Sequence, residues 1–301
     1  MKIRIDETAG FCFGVVRTIN IAEDRLESNK NKKKTYVLGS IIHNPKEIER
    51  LEEEGLSTVT HADFEHIANE GSDLIVRAHG EPPSTFTKAK ELGLDLIDAT
   101  CPLVTGLQNR VKRFYDKGFQ IVIYGKANHP EVIGIRGTIA DDCIIVSGVT
   151  EAEEKVMLDK QTVLFSQTTM EKPVYKKIKE VLSKRVSELI EGGDTKDLFQ
   201  AKNTLCKEVW GREKKVLEFA RENDIVIFVA GRNSSNGKSL FKHMQTENEN
   251  MHYIEDSDEI NDNWFSGVES VGITGATSTP QWYLEKVKSR ISEINELENI
   301  Q

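Results

Sequence analysis

The sequence predicts an α/β fold built on parallel sheets. Short runs nearly continuous in Val, Ile and Leu recur along the whole chain, as strands buried on both faces of a parallel sheet do. Longer amphipathic stretches of helical period separate them, and such alternation is the pattern of α/β architecture. A third observation bears on function: the chemically unusual residues fall just past the ends of the apolar runs.

The expected strands, in order, are KIRID (2–6), TYVLGS (35–40), DLIVRA (73–78), LDLIDA (94–99), FQIVIYG (119–125), CIIVS (143–147), TVLFSQ (162–167), DIVIFVAG (224–231) and SVGITG (270–275). Between them, PKEIERLEEEGL puts Ile48 and Leu51 on one helical face and ends at Gly55. A longer helix starting at Val174 is expected to stop at Gly192 and Gly193, since glycine is favoured just past a helix C-terminus. Cys12, His43, His79, Cys101, His129, Thr168, the run Asn233–Asn236 and Ser278 each follow one of these strands, where a helix is about to start. Open α/β sheets bind ligands at that edge, and backbone N–H groups at helix starts favour anions there. Eight such placements point to one convergent polar site.

The chain has four cysteines. Cys12, Cys101 and Cys206 recur at intervals of 89 and 105 residues, a layout that suits three α/β units of similar size with one cysteine each. Their spacing forms no local Cys-x-x-Cys knuckle, and isolated cysteines are more often small buried hydrophobes. Their place at strand-to-helix junctions favours a thiolate, and three soft thiolates suit zinc or an iron–sulfur cluster. Cys143 lies inside an apolar run and reads as core filler.

His43, His79 and His129 share Gly, Pro or Asn neighbours and the same sheet edge, a setting for phosphate binding or proton transfer. His61, His66, His243 and His252 read as ordinary surface or hydrogen-bonded residues. Glu131, two residues after His129, reads either as a general acid or as a helix-start acid favoured by the dipole; the pattern alone does not choose. GRNSSNGKS opens a helix after a buried strand and offers Ser234, Ser235 and Asn236 to a phosphate, or serves as an ordinary N-cap loop. It lacks P-loop spacing, and no Gly-x-Gly-x-x-Gly follows the first strand, so neither nucleotide hydrolysis nor a nicotinamide cofactor is indicated.

Composition narrows the function classes. The 301 residues carry a net charge of −9, against a nucleic-acid groove. The one dense cationic run, Lys30, Lys32, Lys33 and Lys34, reads as a solvated turn. The charged opening MKIRIDETAGF has no apolar signal core, and no run is long enough to span a bilayer, so a soluble cytoplasmic protein without membrane partners is expected. In that compartment the thiols stay reduced.

At these residues the sequence resembles the 4-hydroxy-3-methylbut-2-enyl diphosphate reductase family, which acts last in the non-mevalonate isoprenoid pathway. The resemblance runs in order through AGFCFGVVR, GSIIHNP, RAHGEPP, DATCPLV, NHPEVIG, QTTM, NTLC, NSSN and the segment Ser278–Pro280, and covers essentially the whole chain. It implies three similar α/β units around a central [4Fe-4S] cluster, with units at 14–99, 100–201 and 202–301 joined by 1–13. It implies Cys12, Cys101 and Cys206 as ligands and a fourth iron open to the substrate hydroxyl. It also implies diphosphate binding by His43, His79, His129, Thr168, Ser234, Ser235, Asn236 and Ser278, and Glu131 as proton source. The implied reaction is reductive dehydroxylation to isopentenyl and dimethylallyl diphosphates, with electrons from a ferredoxin or flavodoxin.

The chain departs from the family pattern at three places. Val209 stands three residues after Cys206 in place of threonine, and Arg212–Glu213 in place of Arg-Gln. The usual TAGAS run reads TGATS, with Thr277 on the substrate loop. One alternative is a non-enzymatic iron–sulfur redox sensor of the same family, which would need neither Glu131 nor the His, Ser and Asn set. Another is a zinc hydrolase on three thiolates, a poor match to hard phosphate-ester chemistry.

Overall fold

The computed structural model describes residues 1–30, 32–189 and 198–298. Its strands are β1 (Lys2–Ile5), β2 (Thr35–Leu38), β3 (Leu56–Val59), β4 (Asp73–Val76), β5 (Asp95–Asp98), β6 (Gln120–Tyr124), β7 (Ile144–Val146), β8 (Thr162–Ser166), β9 (Phe199–Ala201), β10 (Ile225–Val229), β11 (Met251–Ile254) and β12 (Ser270–Gly275). They form three four-stranded sheets, in the orders β1-β12-β10-β11, β3-β2-β4-β5 and β7-β6-β8-β9. The fold is α/β with parallel sheets, as expected.

The chain divides into two compact units. One comprises Met1–Ser28, Ser40–Ser57 and Lys207–Gln301; the other comprises Asn29–Gly39 and Thr58–Cys206. In the first unit, β10 shows why its sequence is continuously apolar. Ile225, Ile227 and Val229 pack with Tyr283, Leu284 and Val287 of the C-terminal helix Gln281–Glu298. Val226 and Phe228 point the other way and pack with Val216, Leu240 and Met244. A strand covered on both faces alternates between two cores, so every position must be apolar. Each such side chain, fully buried, contributes roughly 1.5–3 kcal/mol.

The second unit repeats this arrangement. Val122, Tyr124 and Leu164 join one core with Ile178 and Leu182 of the helix Lys172–Leu189. Ile121, Ile123, Val163 and Phe165 join another with Leu107 and Val111 of the helix Pro102–Tyr115. The stop expected at Gly192 and Gly193 lies outside the described residues.

Three strands were not foreseen: β3, β9 and β11. Each is an edge strand of its sheet and only partly buried. The lysine run is solvated, as expected: Lys30, Lys32 and Lys34 are exposed and Lys33 partly so, with Lys33 paired to Asp73 and Asp95 and Lys34 to Glu70. Cys143 lies just before β7 and packs, partly buried, against the core around Leu107 and Val111; burial pushes its thiol up to about 11. Among the described residues no helix is long and apolar enough to cross a membrane.

Candidate active site

In the second unit the chain leaves β4 through Arg77, Ala78, His79 and Gly80. Gly80 has φ +74°, and a Cβ there would meet Thr100 at 3.0 Å, so the turn is open to glycine only at low cost. Arg77 ion-pairs with the buried Glu81 at 2.9 Å, and His61 reaches the same carboxylate at 3.2 Å. The Cys101 N–H donates to the Ala78 carbonyl at 3.0 Å, which ties the cysteine directly to the His79 turn. Cys101 is the N-cap of the helix Pro102–Tyr115, with proline at its first position.

The His79 ring meets the His129 ring edge to face at 5.5 Å between centroids. His129 caps the helix Pro130–Gly137 with its side chain: Nδ1 accepts the Glu131 N–H at 3.2 Å. An accepting Nδ1 leaves the proton of the neutral ring on Nε2.

Glu131 is 2% exposed. The Thr168 N–H donates to Oε1 and the Thr168 hydroxyl to Oε2, both at 2.7 Å. Burial pushes its carboxyl up to about 7, against the opposing pull of these two bonds. The partners are neutral, and two hydrogen bonds do not replace the solvation of a full charge. Near neutral pH this carboxyl therefore holds and releases a proton, so the acid reading fits it better than a dipole-stabilised carboxylate. The Thr168 carbonyl in turn accepts the Cys206 N–H at 2.8 Å. One polar tract thus runs from Cys101 through His79, His129, Glu131 and Thr168 to Cys206.

The first unit gathers the remaining residues. Cys12 precedes the helix Phe13–Asn29, and its N–H donates to the Thr277 carbonyl at 3.0 Å. The Thr277 hydroxyl accepts from Asn236 Nδ2 at 2.7 Å. Thr277, noted from sequence only as a departure, therefore holds a candidate binding side chain. Ser234 caps the helix Ser235–Met244 by accepting the Gly237 N–H at 3.0 Å. Ser278 Oγ donates to the His43 carbonyl at 3.5 Å, and a Cβ on Gly231 would lie 2.4 Å from that oxygen, so only glycine lets the backbones approach. Ser234, Ser235, Asn236 and Ser278 are all buried. One of the helices involved is anchored further out, where Trp282 Nε1 donates to the buried Glu47 at 2.7 Å.

A cleft of about 320 Å³ opens beside Cys12, lined also by Thr8, Lys207, Arg212, Lys215 and Thr277. Arg212 is 8% exposed and pairs with Asp6 at 3.2 Å. Burial lowers its pKa, while the negative charges of Asp6 and of a Cys12 thiolate favour its charged form. This buried pair had no sequence signal beyond Arg212 falling six residues after Cys206 and Asp6 ending the first strand.

The other four histidines take ordinary places. His61 and His66 face Glu81 and Glu70, His243 faces Glu213, and His252 stacks on Trp264 at 3.8 Å.

The cysteines are free thiols, and Cys12, Cys101 and Cys206 are each partly exposed at a helix start. Thiols at helix starts have the soft donor chemistry of metal ligands, whereas Cys143 packs against an apolar core.

Comparison with known proteins places this arrangement. The LytB protein family model matches residues 3–292. The 4-hydroxy-3-methylbut-2-enyl diphosphate reductase of Chloroherpeton thalassium is 42% identical, covering 97% of this chain and 96% of its own. The enzyme of the same name from Bacteroides fragilis is 40% identical over 97% of each chain. A solved structure of (E)-4-hydroxy-3-methyl-but-2-enyl diphosphate reductase, the terminal enzyme of the non-mevalonate pathway, is 35% identical with a TM-score of 0.70, covering 97% of this chain and 99% of that one. The Plasmodium falciparum E-1-hydroxy-2-methyl-but-2-enyl-4-diphosphate reductase is 26% identical with a TM-score of 0.83, covering 95% and 86%. The chain belongs to the LytB family, whose similar members bear the name 4-hydroxy-3-methylbut-2-enyl diphosphate reductase.

Proposed function

We propose that this chain catalyses the reductive dehydroxylation of 4-hydroxy-3-methylbut-2-enyl diphosphate to isopentenyl and dimethylallyl diphosphates. Cys12, Cys101 and Cys206 hold a [4Fe-4S] cluster, and a ferredoxin or flavodoxin supplies electrons from outside. When bound, the cluster supplies electrons one at a time and a Lewis-acidic iron that makes hydroxide a better leaving group. The balance is two electrons and two protons in, one water out.

The observation that carries this reading is Glu131. Its carboxyl is buried, holds a proton up to about pH 7, and lies on the tract that joins Cys101 to Cys206. Glu131 gives its proton to the departing hydroxyl oxygen. Thr168 steadies the carboxylate that remains, its N–H on Oε1 and its hydroxyl on Oε2. His129, with Nδ1 committed to the Glu131 N–H, offers an Nε2–H to the substrate. His43, His79, Ser234, Ser235, Asn236 and Ser278 supply further donors for the diphosphate. His129, Ser234, Ser235 and Asn236 sit at helix starts, where backbone N–H groups add to the binding of an anion. Fixing both phosphates sets the position of the alcohol relative to the reacting iron.

Turnover of the diphosphate by anaerobically reconstituted protein, with a strong reductant, tests the reading. Wild type is expected to turn over and Glu131→Gln to keep its iron and lose most activity. A fully active variant removes Glu131 as the acid. A reconstituted wild type that binds iron and sulfide but reduces nothing favours the sensor alternative.

A further inference from the structure

Arg212 is the one fixed cation buried in the wall of the Cys12 cleft, beside the exposed Lys207 and Lys215. Its surroundings are unevenly matched. One terminal nitrogen, Nη2, donates to Asp6 Oδ2 at 3.2 Å, Thr274 Oγ1 at 3.3 Å and the Gly275 carbonyl at 3.3 Å. Nε is equally buried, yet among the described residues it has no hydrogen-bond acceptor. Asp6 does not answer the charge alone. Its Oδ1 is taken by the Thr8 N–H and hydroxyl, both at 2.8 Å, and its Oδ2 is shared with Thr274 Oγ1 at 2.7 Å. A buried N–H of a charged group left unmatched is costly, and its retention calls for an acceptor. Sulfur ligands of a cluster are acceptors, and donors to them are a recognised lever on potential.

We propose that Arg212 is a positioning residue that raises the reduction potential of the cluster held by Cys12, through the charge of its buried guanidinium. This rests on the ligation proposed above. Reduction adds one electron and no proton to the cluster, so the reduced form carries one more negative charge. A buried guanidinium stabilises that form more than the oxidised one. Asp6, as the counter-charge, acts in the opposite sense.

That opposition makes the test specific. The measurement is the midpoint potential of the reconstituted full-length protein, from a dithionite titration followed by electron paramagnetic resonance, with iron and sulfide measured alongside. Arg212→Gln is expected to lower the reduced-to-oxidised ratio at fixed potential by tenfold or more, a shift of about 59 mV or more to the negative for one electron. Asp6→Asn is expected to shift it to the positive. Arg212→Lys, which keeps the charge and loses the planar fork, should fall between Arg212→Gln and wild type. A merely structural role would loosen the cleft in both single variants and move both potentials the same way. Shifts of equal sign, or none, overturn the proposal. If Arg212→Gln takes up no iron, the opposite displacements of Asp6→Asn and Arg212→Lys decide it. A wild type that takes up no iron and sulfide overturns the ligation itself, and is told apart by that analysis before any potential is read.

Discussion

Each of the two units buries an ionisable group beside a candidate cysteine, Glu131 in one and Arg212 in the other, and the two are treated in opposite ways. Glu131 in the second unit has only the neutral donors of Thr168, and burial pushes it up to about 7. Arg212 in the first unit has a carboxylate counter-charge, Asp6, and several acceptors on one nitrogen. A buried acid without a counter-charge becomes a proton store, because neutralisation costs it less than staying charged. A buried base with a counter-charge remains a permanent charge. On the reading proposed above, the second unit supplies the movable proton and the first a fixed charge.

The largest effects should come from the thiols. Cys12→Ala, Cys101→Ala and Cys206→Ala are each expected to lose bound iron and all turnover, while Cys143→Ala keeps both; iron analysis after anaerobic reconstitution checks this. Glu131→Gln comes next. Loss of a positioned general acid is expected to lower kcat by roughly 10²–10⁴ with the cluster spectrum unchanged.

Thr168→Val sharpens the comparison by a smaller step. It removes the hydroxyl that stabilises the Glu131 carboxylate and leaves the backbone N–H. The carboxyl then holds its proton more tightly, so the basic limb of the kcat profile should move to higher pH, whereas in wild type it falls through about 7. A limb that moves to lower pH contradicts the assigned bond.

Stability offers the quietest check. Glu131 has a folded pKa of about 7, raised from 4.5, so the folded state binds its proton more tightly than the unfolded chain. The stabilisation this gives is complete below about pH 4.5 and is lost as pH rises to about 7, beyond which it is flat. The loss is about 3 kcal/mol across that window, an order-of-magnitude figure at 1.36 kcal/mol per unit. Denaturant unfolding of Glu131→Gln should lack this contribution, and an identical pH dependence in variant and wild type would contradict the burial argument.

Much of this was legible in the sequence, for physical reasons. β10 and β8 announce themselves because both faces are covered, so every position is apolar. β3, β9 and β11 are three- or four-residue edge strands whose sequences, LSTV, FQA and MHYI, read as loop; the edge strands β1, β5 and β7 were nonetheless recognised. Cys206 was placed at a strand-to-helix junction although no strand was expected just before it; β9 supplies that strand. The site residues stood out because strand ends are where Cys, His and Ser-Asn runs are unusual. The bonds that set their chemistry were not legible. Thr168 reaches Glu131 across 37 residues, and Asp6 reaches Arg212 across 206, with no local pattern to mark either pair.

The central claim is that Glu131 keeps a proton near neutrality. Infrared spectroscopy of the protonated carboxyl C=O stretch, as a wild type minus Glu131→Gln difference across pH 4–9, tests it most directly. The account predicts a single band from a buried carboxylic acid that disappears with a midpoint near 7. A band that disappears near 4.5, or no difference band at pH 6, would contradict it.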